Sequence, residues 1–277
     1  MNKKEIVKIE MKTPVTYYGG KQQMLRHILP LIPEHRIYDE PFFGGGAVFW
    51  AKKPAKVEFI NDKNGEVINF YRTLKRNYAE LKEEIDVMLH SEFQQKEARQ
   101  IYRHPEGHSE IKRAWAIYVL SHQSFYAILD SAWKCSKDRP TARQLQARKE
   151  SFTEEYSGRL EHTSIFCRDA LDVIKKTDSR DTFHYIDPPY FNADMGHYAG
   201  YTANDFEKLL ILLTSPDGRF MLSSYPSGIL HEYTVRAGWN TLEYELPRSA
   251  GGGRKVEVLT LNYDPGRTSA NYEQIAA

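Results

Sequence analysis

Cysteine is nearly absent: Cys135 and Cys167 are the two in 277 residues. They are too few for a disulfide framework and lack metal-ligand spacing, so a reducing cytoplasm is the expected compartment. An excess of one charge is missing too. Lys and Arg number 38 against 37 Asp and Glu, a net of +1, so any pull on nucleic acid must come from a local patch. No run approaches about 18 apolar residues, which excludes a membrane-spanning helix. The start, Met1 to Glu10, is charged with no apolar stretch behind it, so no secretory signal is expected. No segment repeats with a period of roughly 20–50 residues, which argues against solenoids and propellers. Ten histidines are present, but His104 and His108 alone sit at helical spacing and lack further ligands. No metal site is expected.

What is present describes an ordinary globular chain, 27% charged and 41% hydrophobic, long enough for one large core with an insertion. Lys21 to Leu31 carries Met24, Leu25, Ile28 and Leu29 at helical spacing, closed off by Pro30 and Pro33. Arg36 to Asp39 reads as a buried strand, followed by a glycine turn, a helix from Ala47 and a second strand, Val57 to Asp62. That is a βαβ unit, which implies a parallel sheet with ligands at the strand C-termini. From about Gly65 to Leu129 the chain reads as helical. Further strands are expected at Ser164–Cys167, Thr182–Ile186, Arg219–Ser224 and Val256–Asn262, with a helix at Asp205–Leu213. The fold class is α/β, interrupted by a helical insertion.

The turn Asp39-Glu-Pro-Phe-Phe-Gly-Gly-Gly-Ala-Val-Phe49 lets backbone amides approach a ligand without a Cβ in the way. A dinucleotide fingerprint starting at Gly44 and Gly46 would want glycine at Phe49, and no Lys-Ser/Thr pair marks a phosphate loop. Asp62 ends the next strand roughly 20 residues past Gly44, where a carboxylate can accept from ribose hydroxyls. The combination suits a ligand with ribose but no phosphates, S-adenosylmethionine (SAM) foremost. Alone, the turn is equally an ordinary βα connection.

Thr182-Phe-His-Tyr-Ile-Asp-Pro-Pro-Tyr190 is more telling. An apolar strand ends in a carboxylate, two prolines freeze the backbone, and an aromatic projects. Asp187 and the Pro188 carbonyl form paired acceptors beside the Tyr190 ring, with Pro189 fixing the turn. Such a set suits a planar heterocycle bearing an exocyclic amine: two N–H bonds would favour a pyramidal nitrogen with an available lone pair. Catalysis is then positioning plus electrostatics, with neither metal nor covalent intermediate.

With the glycine turn, an insertion and Asp187-Pro-Pro-Tyr190 in that order, the sequence resembles the Dam-type adenine-specific DNA methyltransferases, in their α arrangement. Thr16 to Leu25, with Gly19-Gly-Lys21, resembles the family's Trp-x-Gly-Gly-Lys motif, Tyr17 standing where Trp is usual. Glu40-Pro-Phe-Phe-Gly-Gly-Gly46 resembles its Pro-Phe-x-Gly-x-Gly motif, Asp62 its ribose-binding acid, and Phe166-Cys-Arg-Asp169 the strand end whose acid meets the cofactor adenine. Tyr201 to Phe206 looks like the post-catalytic segment, and Arg248 to Tyr263 like the C-terminal hairpin. Ser121 to Phe125 follows the family's Asn-Arg segment only loosely.

The resemblance implies a Rossmann-like SAM-binding catalytic domain from residues 14–64 and 152–264. The mainly helical residues 65–151 would recognise the target, with a basic loop at 131–150. It implies SAM contacts at Tyr17, Lys21, Glu40, Phe42, Gly44, Gly46, Asp62 and Asp169, and N6-methylation of an adenine flipped from duplex DNA. A cognate restriction endonuclease is a partner it allows, and a monomer in a prokaryotic or phage-infected cytoplasm is expected.

Lys134, Lys137, Arg139, Arg143, Arg148 and Lys149 face only Asp138 and Glu150 in sequence, and the first five of them are candidates for phosphate contacts. Exposed loops are often basic without binding anything. His122, Gln123 and Ser124 read as a loop-like break, more often helix-terminal polar residues than DNA contacts. Phe191 to Gly200 reads as a lid over the pocket. Two other readings stay open: methylation of RNA adenine or of the cytosine N4 amine, and a non-catalytic DNA-binding regulator.

Overall fold

The computed structural model describes residues 10–191, 200–247 and 253–266. Seven strands form one sheet: β1 (Ile37–Glu40), β2 (Val57–Asn61), β3 (Thr163–Phe166), β4 (Thr182–Ile186), β5 (Arg219–Ser224), β6 (Asn240–Pro247) and β7 (Arg254–Leu261). Their order is β3-β2-β1-β4-β5-β7-β6. The first five run parallel, and β7 enters antiparallel between β5 and β6. Thr182–Ile186 is buried at every position, as a nearly continuous apolar run in a central parallel strand should be.

β1 is less conventional, because Asp39 and Glu40 are both buried. Register pairs Asp39 with His184 on β4. The imidazole is held by Asp39 at 2.8 Å through Nδ1 and by Asp178 at 3.2 Å through Nε2. Burial alone would depress the pKa of His184, but the two carboxylates outweigh it and hold it above the ordinary value.

The predicted helix over Lys21–Leu31 is instead a 3-10 turn, a short α1 (Leu25–Ile28) and a second 3-10 turn carrying Pro30. α2 (Ala47–Ala51) follows the glycine turn and is buried throughout. The crossing from β2 to β3 is made by α3 (Gly65–Arg76), α4 (Tyr78–Val87), α5 (Glu92–Arg103), α6 (Glu110–Gln123), α7 (Thr141–Glu150) and α8 (Glu155–Arg159). Asn64, Ser91 and Ser109 cap α3, α5 and α6 by accepting backbone N–H bonds, which satisfies donors a helix start leaves open. Ala114 to Ser121 of α6 are all buried, so this helix is the post of the insertion. One hydrophobic cluster joins it to the sheet: Phe43 and Trp50 meet Tyr71 of α3, and Tyr118 meets Phe152.

Three expectations need correcting. The second half of the basic loop 131–150 is the helix α7, because Ala-Arg-Gln-Leu-Gln-Ala-Arg-Lys is a run of good helix formers anchored by buried Leu145. His122 and Gln123 are not in a break but in the last turn of α6, where the Gln123 amide donates to the Leu89 carbonyl at 2.8 Å. The C-terminal hairpin begins earlier than the expected Arg248–Tyr263 segment, with β6 over residues 240–247. α9 (Ala170–Thr177) and α11 (Gly228–Ala237) add two helices beyond those the sequence predicts, whereas α10 (Ala203–Leu213) matches the predicted helix at Asp205–Leu213 and carries a Thr202–Asp205 capping box. Of the proposed lid, residues 192–199 lie outside the described residues, as do 248–252 of the hairpin.

Candidate active site

β1 has β2 on one side and β4 on the other, and the chain leaves these strands toward opposite halves of the sheet. Such a switch point opens a crevice at the strand C-termini. Here the crevice is a cleft of about 1930 Å³, lined by the glycine turn after β1, by Asp187–Tyr190 after β4, and by α7 from the insertion.

On the glycine side, Gly44 and Gly46 adopt positive φ of 47° and 64°. A Cβ on Gly46 would stand 2.4 Å from the Phe43 ring, and one on Gly44 would stand 2.9 Å from the Tyr17 ring. The turn is therefore packed between aromatic rings, with Phe43 buried against the core and Tyr17 and Phe42 lining the cleft. Asp62 Oδ2 accepts from Gly44 N–H and Oδ1 from Asn64 N–H, both at 2.8 Å. Each oxygen retains a lone pair for a hydroxyl donor. Glu40 Oε2 accepts from the Tyr38 hydroxyl at 2.6 Å and from Phe49 N–H at 3.2 Å. Burial, reinforced by nearby Asp187, pushes its pKa up to about 8. Asp169 caps α9 through Leu171 N–H and also lines the cleft.

The Asp62 and Asp169 carboxylates, the Glu40 carboxyl, an apolar ring and a close-packed glycine turn fit a ligand with ribose hydroxyls and a cationic sulfonium. They fit a pyrophosphate poorly, since carboxylates repel it. Among the described residues no group of three or more His, Cys, Asp or Glu is placed to hold a metal ion.

On the opposite side, Asp187 Oδ1 lies 2.7 Å from Lys21 Nζ and 3.3 Å from the Tyr190 hydroxyl oxygen. Among the described residues, neither Asp187 Oδ2 nor the Pro188 carbonyl takes a hydrogen bond. Burial raises the Asp187 pKa, with Lys21 opposing. Lys21, expected on the cofactor, thus places its ammonium on Asp187, and also on the Gly19 carbonyl at 2.9 Å and Glu257 at 3.4 Å. Burial would lower its pKa, but the two carboxylates outweigh burial and raise it.

Glu257 and Ser223, which no sequence motif marks, also face this side of the site beside Tyr190. Tyr190 also meets the edge of Tyr225, with ring centroids 4.5 Å apart. Of the basic candidates, Lys134 and Arg148 line the cleft, together with Gln144. Lys137, Arg139 and Arg143 are exposed and lie off it. His122 lines the cleft as a neutral imidazole, its pKa pushed down to about 3 by burial and by Arg148.

Residues 17–210 match the family model of the D12 class N6 adenine-specific DNA methyltransferases. The chain belongs to this family. By that membership it is an adenine-specific DNA methyltransferase of a SAM-dependent family, acting on DNA, and its seven-stranded sheet is the Rossmann-like methyltransferase arrangement. It is 29% identical over 290 residues to the Type II methyltransferase M1.LlaDCHI of Lactococcus lactis subsp. cremoris, covering 95% of this chain and 99% of that one. It is 22% identical over 268 residues to the DNA adenine methylase of Escherichia coli strain K12, covering 91% and 95%. The DNA N-6-adenine-methyltransferase of Escherichia phage P1 is 27% identical over 219 residues, which are 73% of this chain but 28% of the phage protein. No helix among the described residues is long and apolar enough to cross a membrane.

Proposed function

We propose that Asp187, the Pro188 carbonyl and Tyr190 hold the exocyclic amine of an adenine flipped from duplex DNA, while Tyr17, Glu40, Phe42, Gly44, Gly46, Asp62 and Asp169 hold SAM. The observation that carries this reading is the uneven state of the Asp187 carboxylate: Oδ1 is engaged by Lys21, and Oδ2 takes no hydrogen bond among the described residues. Oδ2 and the Pro188 carbonyl are therefore the pair of acceptors an amino group needs.

SAM, when bound, supplies an electrophilic methyl group on a sulfonium. The chain supplies geometry. Two N–H bonds to Asp187 and Pro188 turn the amine lone pair out of conjugation with the ring, and Tyr190 stacks on the base. When the nitrogen gains a methyl group, a proton must leave it. Asp187 is the acceptor of the two that can take that proton, and its raised pKa favours the transfer.

Lys134 and Arg148 are assigned to phosphates on the insertion side of the cleft, and Lys137, Arg139 and Arg143 to more distant backbone contacts. The enzyme is proposed to act as a monomer on duplex DNA, with or without a companion endonuclease. The test is transfer of labelled methyl from SAM to genomic DNA, followed by nucleoside mass spectrometry. Methylation at adenine N6 that is abolished in Asp187→Ala, with SAM binding retained, is the expected result. Methylated cytosine, transfer to RNA alone, or no transfer despite DNA binding would refute the reading.

A further inference from the structure

Glu257, on β7, has no part in the reaction described above, yet its carboxylate lies at the floor of the cleft with a side chain 1% exposed. Its Oε1 gathers donors from three separate parts of the chain. It accepts from the Tyr190 hydroxyl after β4 and from Ser223 Oγ on β5 at 3.0 Å, and it lies 3.4 Å from Lys21 Nζ. Oε2 has no hydrogen bond among the described residues and lies 3.5 Å from Lys255 Nζ. The next two core positions of the strand, Val258 and Leu259, are apolar, so packing alone does not call for an acid here. A desolvated carboxylate is costly unless its partners need it.

What those partners share is the target amine. Tyr190 and Lys21 each touch Asp187 directly, and the Lys21 ammonium stands 4.9 Å from the Tyr190 ring centroid. We propose that Glu257 is a positioning residue for methyl transfer. It tethers the Tyr190 ring by its hydroxyl and anchors the Lys21 ammonium from the far side. Lys21 then stays on Asp187 Oδ1 and leaves Oδ2 to the base. Ser223 completes the anchor: its hydroxyl donates to Glu257, and its oxygen packs 3.1 Å from the Tyr190 hydroxyl oxygen. The inference rests on the assignment of Asp187 and Tyr190 to the flipped adenine.

The test uses the full-length protein and compares Glu257→Gln and Tyr190→Phe with their double variant. Single-turnover methylation of duplex DNA at saturating SAM is measured beside equilibrium SAM binding. Losing a hydrogen bond to a buried charge should slow the chemical step by on the order of tenfold to a hundredfold in Glu257→Gln. SAM affinity should stay within about twofold, since independent sites do not couple. Tyr190→Phe keeps the ring and removes the tethered hydroxyl, so it should slow the step comparably. The double variant should lose less than the product of the two losses, because both cut one tether.

An unimpaired rate in either single variant would overturn the proposal, as would SAM affinity falling in step with rate, or multiplicative losses in the double variant. If Glu257→Gln does not fold, Tyr190→Phe decides alone, and an unimpaired rate there overturns the proposal. A wild type that transfers no methyl to adenine refutes the underlying assignment. A methylating wild type beside unimpaired variants removes only the role of Glu257.

Discussion

Replacing Lys21 with methionine probes the electrostatic centre of the site. The Lys21 side chain is 6% exposed and separates Asp187, 19% exposed, from Glu257. Methionine fills similar volume but leaves two carboxylates facing each other without the cation between them. Breaking a buried pair by removing one partner costs about 3–5 kcal/mol. Asp187 keeps some solvent and Lys255 still stands 3.5 Å from Glu257, which places the expected loss near the lower end, about 3 kcal/mol. The loss must depend on pH with a definite sign. In the wild type the Lys21 pKa is raised, so its stabilisation is complete at neutral pH and is lost as pH rises from the unfolded lysine pKa of about 10.4 through the higher folded value. In Lys21→Met both carboxyl pKa values rise. Each unit of that rise costs about 1.36 kcal/mol where the group is ionised in the unfolded chain, and nothing once both states are protonated. Urea unfolding at mildly alkaline and mildly acidic pH should therefore show a large penalty in the first and a smaller one in the second. A penalty independent of pH, or one below about 1 kcal/mol as for an exposed pair, would refute the reasoning.

Other expectations follow from local geometry. Gly46→Ala should lower Tm more than Gly238→Ala: both sit at positive φ, which costs about 1–2 kcal/mol for an L-residue, but only at Gly46 would the new Cβ strike an aromatic ring. Because Glu40 has a pKa of about 8, a cationic ligand beside it should release a proton; SAM affinity should weaken as pH falls below that value, and calorimetry in two buffers should detect the proton. His184, with its pKa raised by Asp39 and Asp178, contributes stability that is complete below its unfolded pKa of about 6.5 and is lost as pH rises through the folded value. His184→Gln should flatten that part of the unfolding profile. Removing Lys134 or Arg148 should reduce the salt slope of DNA binding by about one, and removing Lys137 by less, as measured by titration at several ionic strengths.

The central strands were legible because their chemistry is local. Thr182–Ile186 is a run of β-branched and aromatic residues broken only by His184, and the glycines before Ala47 mark a turn that larger residues could not make. The unread elements had weaker signals of a different kind. α7 has one buried residue, Leu145, so apolar periodicity says nothing about it, although its helix-forming composition does. β6 alternates Leu242, Tyr244 and Leu246 with polar residues, a period-two pattern that the glycine-rich stretch after it obscured.

The site divides along the same line. Asp187, Pro188, Tyr190 and the glycine turn are each contained in a few consecutive residues, and their chemistry can be argued from that stretch. Glu257 cannot be reached that way. In sequence it is one acid in Lys255-Val-Glu-Val258, and alternation alone would assign it to a solvated face. Its burial follows from topology. β7 inserts between β5 and β6, which sets Glu257 beside Ser223 of β5 and beneath the turn after β4. Lys21, more than 200 residues earlier in the chain, then meets it from the N-terminal 3-10 turn. An acid whose hydrogen-bond donors all come from other elements leaves no periodic trace, and sheet order is the information needed to find it.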